Sequence, residues 1–104
     1  ENAIRHSRSD IITSSYDRIG VAQYELKKTN AALAAFRRSI EENPRNSRAY
    51  YDMGVLYENL GDDRTKALEC YRKVVSIEKP SDAETSLYYK ARERLRFLGG
   101  TKLE

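Results

Sequence analysis

The sequence contains no tryptophan, one cysteine, one histidine and two prolines in 104 residues. Each scarcity excludes something. Cys70 alone cannot form an internal disulfide, and so thiol-poor a chain fits a reducing compartment, which favours the cytoplasm. His6 alone would leave a zinc ion only carboxylates and one thiol for company, so it reads as a surface residue and no metal is expected. Nothing in the sequence around Cys70 offers a histidine base, so it reads as a packing residue and not a nucleophile. Apolar runs are a few residues long, too short to cross a membrane. No basic start followed by an apolar stretch marks a signal peptide. There is no initiating methionine, so the chain reads as processed or as cut from a longer protein. No glycine-rich phosphate loop is present: the "LGG" of 98–100 closes a helix, the reverse of the arrangement an anion needs. Glu41 and Glu42 fall together at a helix end and read as solvated surface. Neither a catalytic residue nor a cofactor site is expected, and the chain does not read as an enzyme.

What is present is 39% hydrophobic and 34% charged, with eight tyrosines among its ten aromatics. That describes one small domain whose core is built partly from rings with polar tips. The net charge of +3 is spread over both halves, without the clustered basic face that nucleic acid calls for.

The stretch "YYDMGVLYENLGD" (50–62) carries Gly54 in the middle of an apolar helical pattern, where glycine costs about 1 kcal/mol relative to alanine. The earlier stretch "YDRIGVAQYELKK" carries Gly20 in the same register, 34 residues before. At that offset Tyr16 overlies Tyr50, Ile19 overlies Met53, Val21 overlies Val55 and Leu26 overlies Leu60. With one inserted residue near 62–65 the match continues, Ala32-Leu33 on Ala67-Leu68, Phe36 on Tyr71 and Ile40 on Val75. Pro44 closes the first unit and Pro80 the second.

Each unit reads as two helices. Tyr16, Ile19, Gly20 and Gln23 or Tyr24 share one helical face, and Leu33, Phe36 and Ile40 share another, with Asn30 as the expected cap between them. Asn46 or Ser47 opens a third helix with Tyr50, Met53, Gly54 and Tyr57 inward. "LGDD" turns the chain into a fourth, faced by Leu68, Tyr71, Val74 and Val75. Ser81 with Glu84 predicts a capping box opening a fifth helix, striped by Leu87, Ala91, Leu95 and Leu98 and stopped at Gly99-Gly100. Ser9 or Asp10 is the expected cap of the first helix. The fold class is all-α.

These residues resemble the tetratricopeptide repeat, whose 34-residue helix–turn–helix unit carries a bulky residue, an aliphatic–small pair and an aromatic, then an alanine, an aromatic and a closing proline. The positions that carry the resemblance are Tyr16, Gly20, Ala32, Phe36 and Pro44 in the first unit and Tyr50, Gly54, Tyr57, Ala67 and Tyr71 in the second. Gln23 departs from the expected aromatic, and Lys27 stands where Gly61 makes the second turn. The resemblance implies a right-handed α–α superhelix of stacked hairpins. The expected division is a lead-in at 1–12, helical in part or frayed, repeats at 13–46 and 47–80, a capping helix at 81–100 and a tail at 101–104, where "KLE" fits native sequence or a cloning remnant. The paired glycines mark where two helices cross closely, under rings such as Phe36 and Tyr71.

Stacked hairpins of this kind line a concave groove with their first helices, and the groove takes peptides or partner helices. Helical phase assigns to it Ser14, Asp17, Arg18, Val21, Tyr24 and Glu25 from the first unit. The second contributes Arg48, Tyr51, Asp52, Val55, Glu58 and Asn59. Co-chaperone members of the family clamp a C-terminal carboxylate with a lysine and two asparagines. The matching positions here are Asp17, Val21 and Asp52, which argues against chaperone tails as ligands. The expected function is therefore non-catalytic protein–protein binding of a segment with apolar and some basic character. Two alternatives stand beside it: self-association, as a homodimer or scaffold, through the ends of a short array, and electrostatic contact of Lys90, Arg92, Arg94 and Arg96 with nucleic acid or acidic membrane.

Overall fold

The computed structural model describes residues 8–60 and 64–99, and these form α1 (Arg8–Glu25), α2 (Thr29–Glu42), α3 (Ser47–Leu60), α4 (Arg64–Ile77) and α5 (Leu87–Phe97). No strand occurs among the described residues. α1 pairs with α2 and α3 with α4 as helix hairpins, α2 packs on α3 to stack them, and α5 lies against α4 and α3. No described helix is long and apolar enough to cross a membrane.

The two glycines are where the hairpins close. A Cβ built on Gly20 would sit 2.6 Å from the Phe36 ring, and one on Gly54 would sit 2.8 Å from the Tyr71 ring. Real Cβ atoms do not come so near, so each helix surrenders propensity to let a ring lie flat on its backbone. Phe36 and Tyr71 are accordingly buried, with Leu33, Met53, Tyr57, Val74, Ala91 and Leu95 in one continuous core.

The helix ends correct several expectations. α2 begins at Thr29 after Lys28, which gives no side-chain cap, so Asn30 lies inside the first turn. Ser86 caps α5, its hydroxyl accepting from Tyr89 N–H at 3.0 Å. Ser81 instead accepts from Ala83 N–H in the preceding irregular segment, so no capping box forms with Glu84. α1 is already helical at Arg8, which places Ser9 and Asp10 within it. The Asn46 expectation holds: its Oδ1 accepts from Ala49 N–H at 3.3 Å. Gly99, at φ +94°, ends α5 as expected. The lead-in through residue 7, the turn at 61–63, Gly100 and the tail lie outside the described residues.

Ile19 is 46% exposed, although its repeat partner Met53 is 7% exposed. Helical phase put both on the inward face. Met53 belongs to the helix on which α2 packs; no described helix precedes α1 to cover Ile19.

Candidate functional site

α1 and α3 run side by side as the first helices of the two hairpins, and an open cleft of about 390 Å³ lies between them. Asp17, Arg18, Val21 and Glu25 line it from α1, with Arg48 and Asp52 from α3. All six were predicted for the groove. Ala22, which also lines it, was not; it follows Val21 on α1 and was missed because the hydrophobic periodicity weights large residues. A second hollow of about 310 Å³ shares Glu25 and adds Tyr24, Leu56, Asn59 and Leu60. Val21 and Tyr24 are 41% and 37% exposed along this surface.

The charges in the cleft are positioned from below. Asp17 accepts from Asn46 Nδ2 at 3.1 and 3.3 Å. Asn46 also reaches Ser39 Oγ at 2.7 Å, and that hydroxyl donates to the Thr13 carbonyl. One asparagine thus caps α3, holds α2 and fixes the Asp17 carboxylate, a joint visible in the sequence only as a capping residue. Asp52 pairs with Arg48 at 3.6 Å. Burial lifts the Asp52 carboxyl above the usual range; Arg48 pulls it back, and the nearby Asp17 charge pushes it up again. The two carboxylates therefore sense one another across the seam. Tyr24 and Asn59 hydrogen-bond over it.

Of the remaining predicted groove residues, Ser14 on α1 is exposed and lines neither hollow, and Tyr51, Val55 and Glu58 of α3 meet other neighbours. Tyr51 is half-buried, its ring centroid 5.6 Å from that of Tyr71. Val55 is half-buried against the core. Glu58 accepts from the Tyr71 hydroxyl at 2.8 Å and from Arg94 Nε at 3.1 Å, tying α3, α4 and α5 together. Tyr51, Val55 and Glu58 do not line the α1–α3 cleft, and Glu58 is engaged by α4 and α5.

Of the basic residues of α5, Lys90 is exposed, and the three arginines are engaged within the molecule. Arg92 lies 3.6 Å from Asp82 and stacks on Tyr88 and Tyr89. Arg94 holds Glu58 and lies over Phe97, and Arg96 pairs with Glu93 at 3.2 Å.

A larger hollow, about 530 Å³, opens elsewhere, between Tyr50 and one face of α4, over Cys70, Arg72, Lys73 and Ser76. Sequence reasoning did not find it. Burial, reinforced by Glu69, pushes the Cys70 thiol up to about 11, so it stays protonated at neutral pH and suits packing better than nucleophilic attack. No metal-binding cluster occurs among the described residues, and His6 lies outside them.

Residues 14–46 and 35–66 each match a family model described as tetratricopeptide repeat. The chain belongs to the tetratricopeptide repeat family. Comparisons with curated proteins and with solved structures give no match. Tetratricopeptide repeats are in general non-catalytic modules that mediate protein–protein interaction. In this tetratricopeptide repeat chain the aligned clamp positions hold an asparagine-anchored carboxylate at Asp17, an exposed valine at Val21 and a second carboxylate at Asp52.

Proposed function

We propose that the chain acts by binding a helix or extended segment of a partner protein in the cleft between α1 and α3. The observation that carries this reading is the cleft itself, which combines exposed Val21 with Asp17, Glu25 and Asp52 against Arg18 and Arg48. Exposed aliphatic and aromatic side chains inside a concavity are the usual anchors of such surfaces, and surrounding charges select the register. With three carboxylates against two guanidinium groups, a segment with apolar and basic side chains suits the cleft better than an acidic tail. The engagement of Arg92, Arg94 and Arg96 within α5 and its neighbours favours this reading over phosphate contact through α5.

Affinity capture with the wild-type chain beside Val21→Asp tests the reading. Val21 is 41% exposed, so the variant keeps its fold, as circular dichroism will verify. The variant is expected to lose the partners that the wild type retains. Identical captured sets from both proteins would rule the cleft out.

A further inference from the structure

The second helices of the hairpins, α2 and α4, carry a pair of cations at equivalent places, Arg37-Arg38 and Arg72-Lys73, and the two pairs are used differently. In the first hairpin both cations are engaged. Arg37 donates to the Tyr57 hydroxyl at 3.1 Å. Arg38 lies over the Tyr16 ring at 5.3 Å and pairs with Glu41, one turn on, at 3.3 Å. In the second hairpin Lys73 repeats the ring contact, 6.0 Å over Tyr50, but serine stands at 76 where the first has Glu41. The Ser76 hydroxyl donates to the Lys73 carbonyl and gives the ammonium no counter-charge. Arg72 and Lys73 are exposed and pair with no carboxylate among the described residues.

Both free cations border the hollow of about 530 Å³ on α4. The more buried part of its lining is apolar, with Tyr50 half-buried and Cys70 8% exposed. Its volume falls within the range of sites that hold small ligands. None of its residues lines the α1–α3 cleft, so what it binds is independent of the reading given for that cleft. We propose that this hollow docks a linear segment of an acidic partner protein, with an apolar side chain seated against Tyr50 and Cys70 and a carboxylate one or two residues away held by Arg72 and Lys73. A guanidinium offers a carboxylate paired N–H donors, and the ammonium beside it adds a point charge. Glu69 on the same lining repels a run of phosphates, so the hollow suits one carboxylate beside an apolar residue better than nucleic acid.

The probe is a displayed library of random 12-residue segments, selected on the immobilised whole chain, with the recovered segments then titrated as fluorescent peptides. Selection is expected to recover a class with an aliphatic or aromatic residue within two positions of Asp or Glu. Arg72→Glu combined with Lys73→Glu should weaken that class about tenfold, the effect of reversing two exposed charges. Ser76→Phe, which fills the hollow, should abolish its binding. All three positions are exposed, so the variants keep their fold, as circular dichroism will verify. Cys70 is the only thiol in the chain, so a bound segment should also slow its alkylation by iodoacetamide. Val21→Asp should change none of this. Recovery of no acidic class, or of one that binds the Ser76→Phe chain as tightly as the wild type, overturns the proposal. Recovery only of segments that Val21→Asp weakens and the α4 variants do not would place all binding in the cleft, which overturns this inference and leaves the cleft reading standing.

Discussion

The two hairpins share one closing contact and use their surroundings differently. In both, a ring from the second helix lies on a glycine of the first, Phe36 on Gly20 and Tyr71 on Gly54. Four residues beyond each glycine comes a side chain that reaches forward to the next first-position helix. In the first hairpin this is Tyr24, which meets Asn59 of α3. In the second it is Glu58, which meets Arg94 of α5. The neutral link joins exposed partners and leaves an open cleft; the charged one is part-buried and receives the Tyr71 hydroxyl as well. The same repeat position therefore keeps one seam accessible and closes the other. Phenylalanine at 36 and tyrosine at 71 follow that division, since the position four beyond the glycine is a tyrosine in the first hairpin and, in the second, the Glu58 carboxylate that accepts the Tyr71 hydroxyl.

The largest test of the comparison is at the glycines. Leucine in place of Gly54 is expected to destabilise by about 2–3 kcal/mol through overpacking, well beyond its helix-propensity effect. Gly20→Leu should cost less, about 1–2 kcal/mol, although its ring contact is the tighter one at 2.6 Å. The reason is that α3 is enclosed by α1, α2, α4 and α5, whereas among the described helices α1 contacts α2 and α3 and can shift outward. Each kcal/mol should lower Tm by roughly 4–8 °C in a domain of this size. Equal shifts, or a larger one at Gly20, would show that both hairpins are equally constrained.

A smaller effect is expected at the closed seam. The Glu58 and Arg94 side chains are 18% and 34% exposed, between the limits of surface and buried pairs. Glu58→Gln should therefore cost about 1–2 kcal/mol, and Tyr71→Phe about 1 kcal/mol. Burial pushes the Tyr71 phenol up, so it remains a donor throughout the working pH range. Hydrogen exchange gives the sharper readout: amides of α5 should exchange faster in Glu58→Gln while those of α2 stay as they were. Uniform acceleration across all helices would mean that α5 is not held locally by this link.

Much of this was legible in the sequence, for a physical reason. Glycine under a ring, an alanine–leucine stripe such as Ala91 and Leu95, and an asparagine before a helix are local signals, set by residues a few positions apart. What was illegible depends on neighbours. Helical phase places Ile19 with Met53, but only a covering helix buries either one. Phase likewise places Glu58 with the groove residues, but the Tyr71 hydroxyl and Arg94 that engage it come from α4 and α5. Ser81 and Ser86 could each open the last helix; docking of Leu87, Ala91 and Leu95 on α3 and α4 decides between them, and it selects Ser86. The cleft was half legible, because its α1 wall and the Arg48–Asp52 pair follow from phase alone, whereas the Asn46 joint beneath Asp17 needs three helices in place.

The smallest expected effect concerns the ends of α1 and α5, which close in related ways. Past α1, Lys27 N–H bonds the Tyr24 carbonyl and Lys28 N–H bonds the Gln23 carbonyl, with Lys27 itself at φ +64°. Past α5, Gly99 holds the corresponding left-handed place at φ +94°, its N–H on the Arg96 carbonyl. Glycine adopts that conformation freely, whereas the lysine Cβ crowds its own carbonyl there. In the sequence the second repeat carries Gly61 where the first carries Lys27. Lys27→Gly should stabilise the chain by about 0.5–1 kcal/mol, the strain relieved being partly offset by the greater freedom of glycine in the unfolded chain. The gain should appear as a higher urea midpoint with an unchanged slope. A lower midpoint would mean that the exposed lysine contributes more than its backbone strain removes.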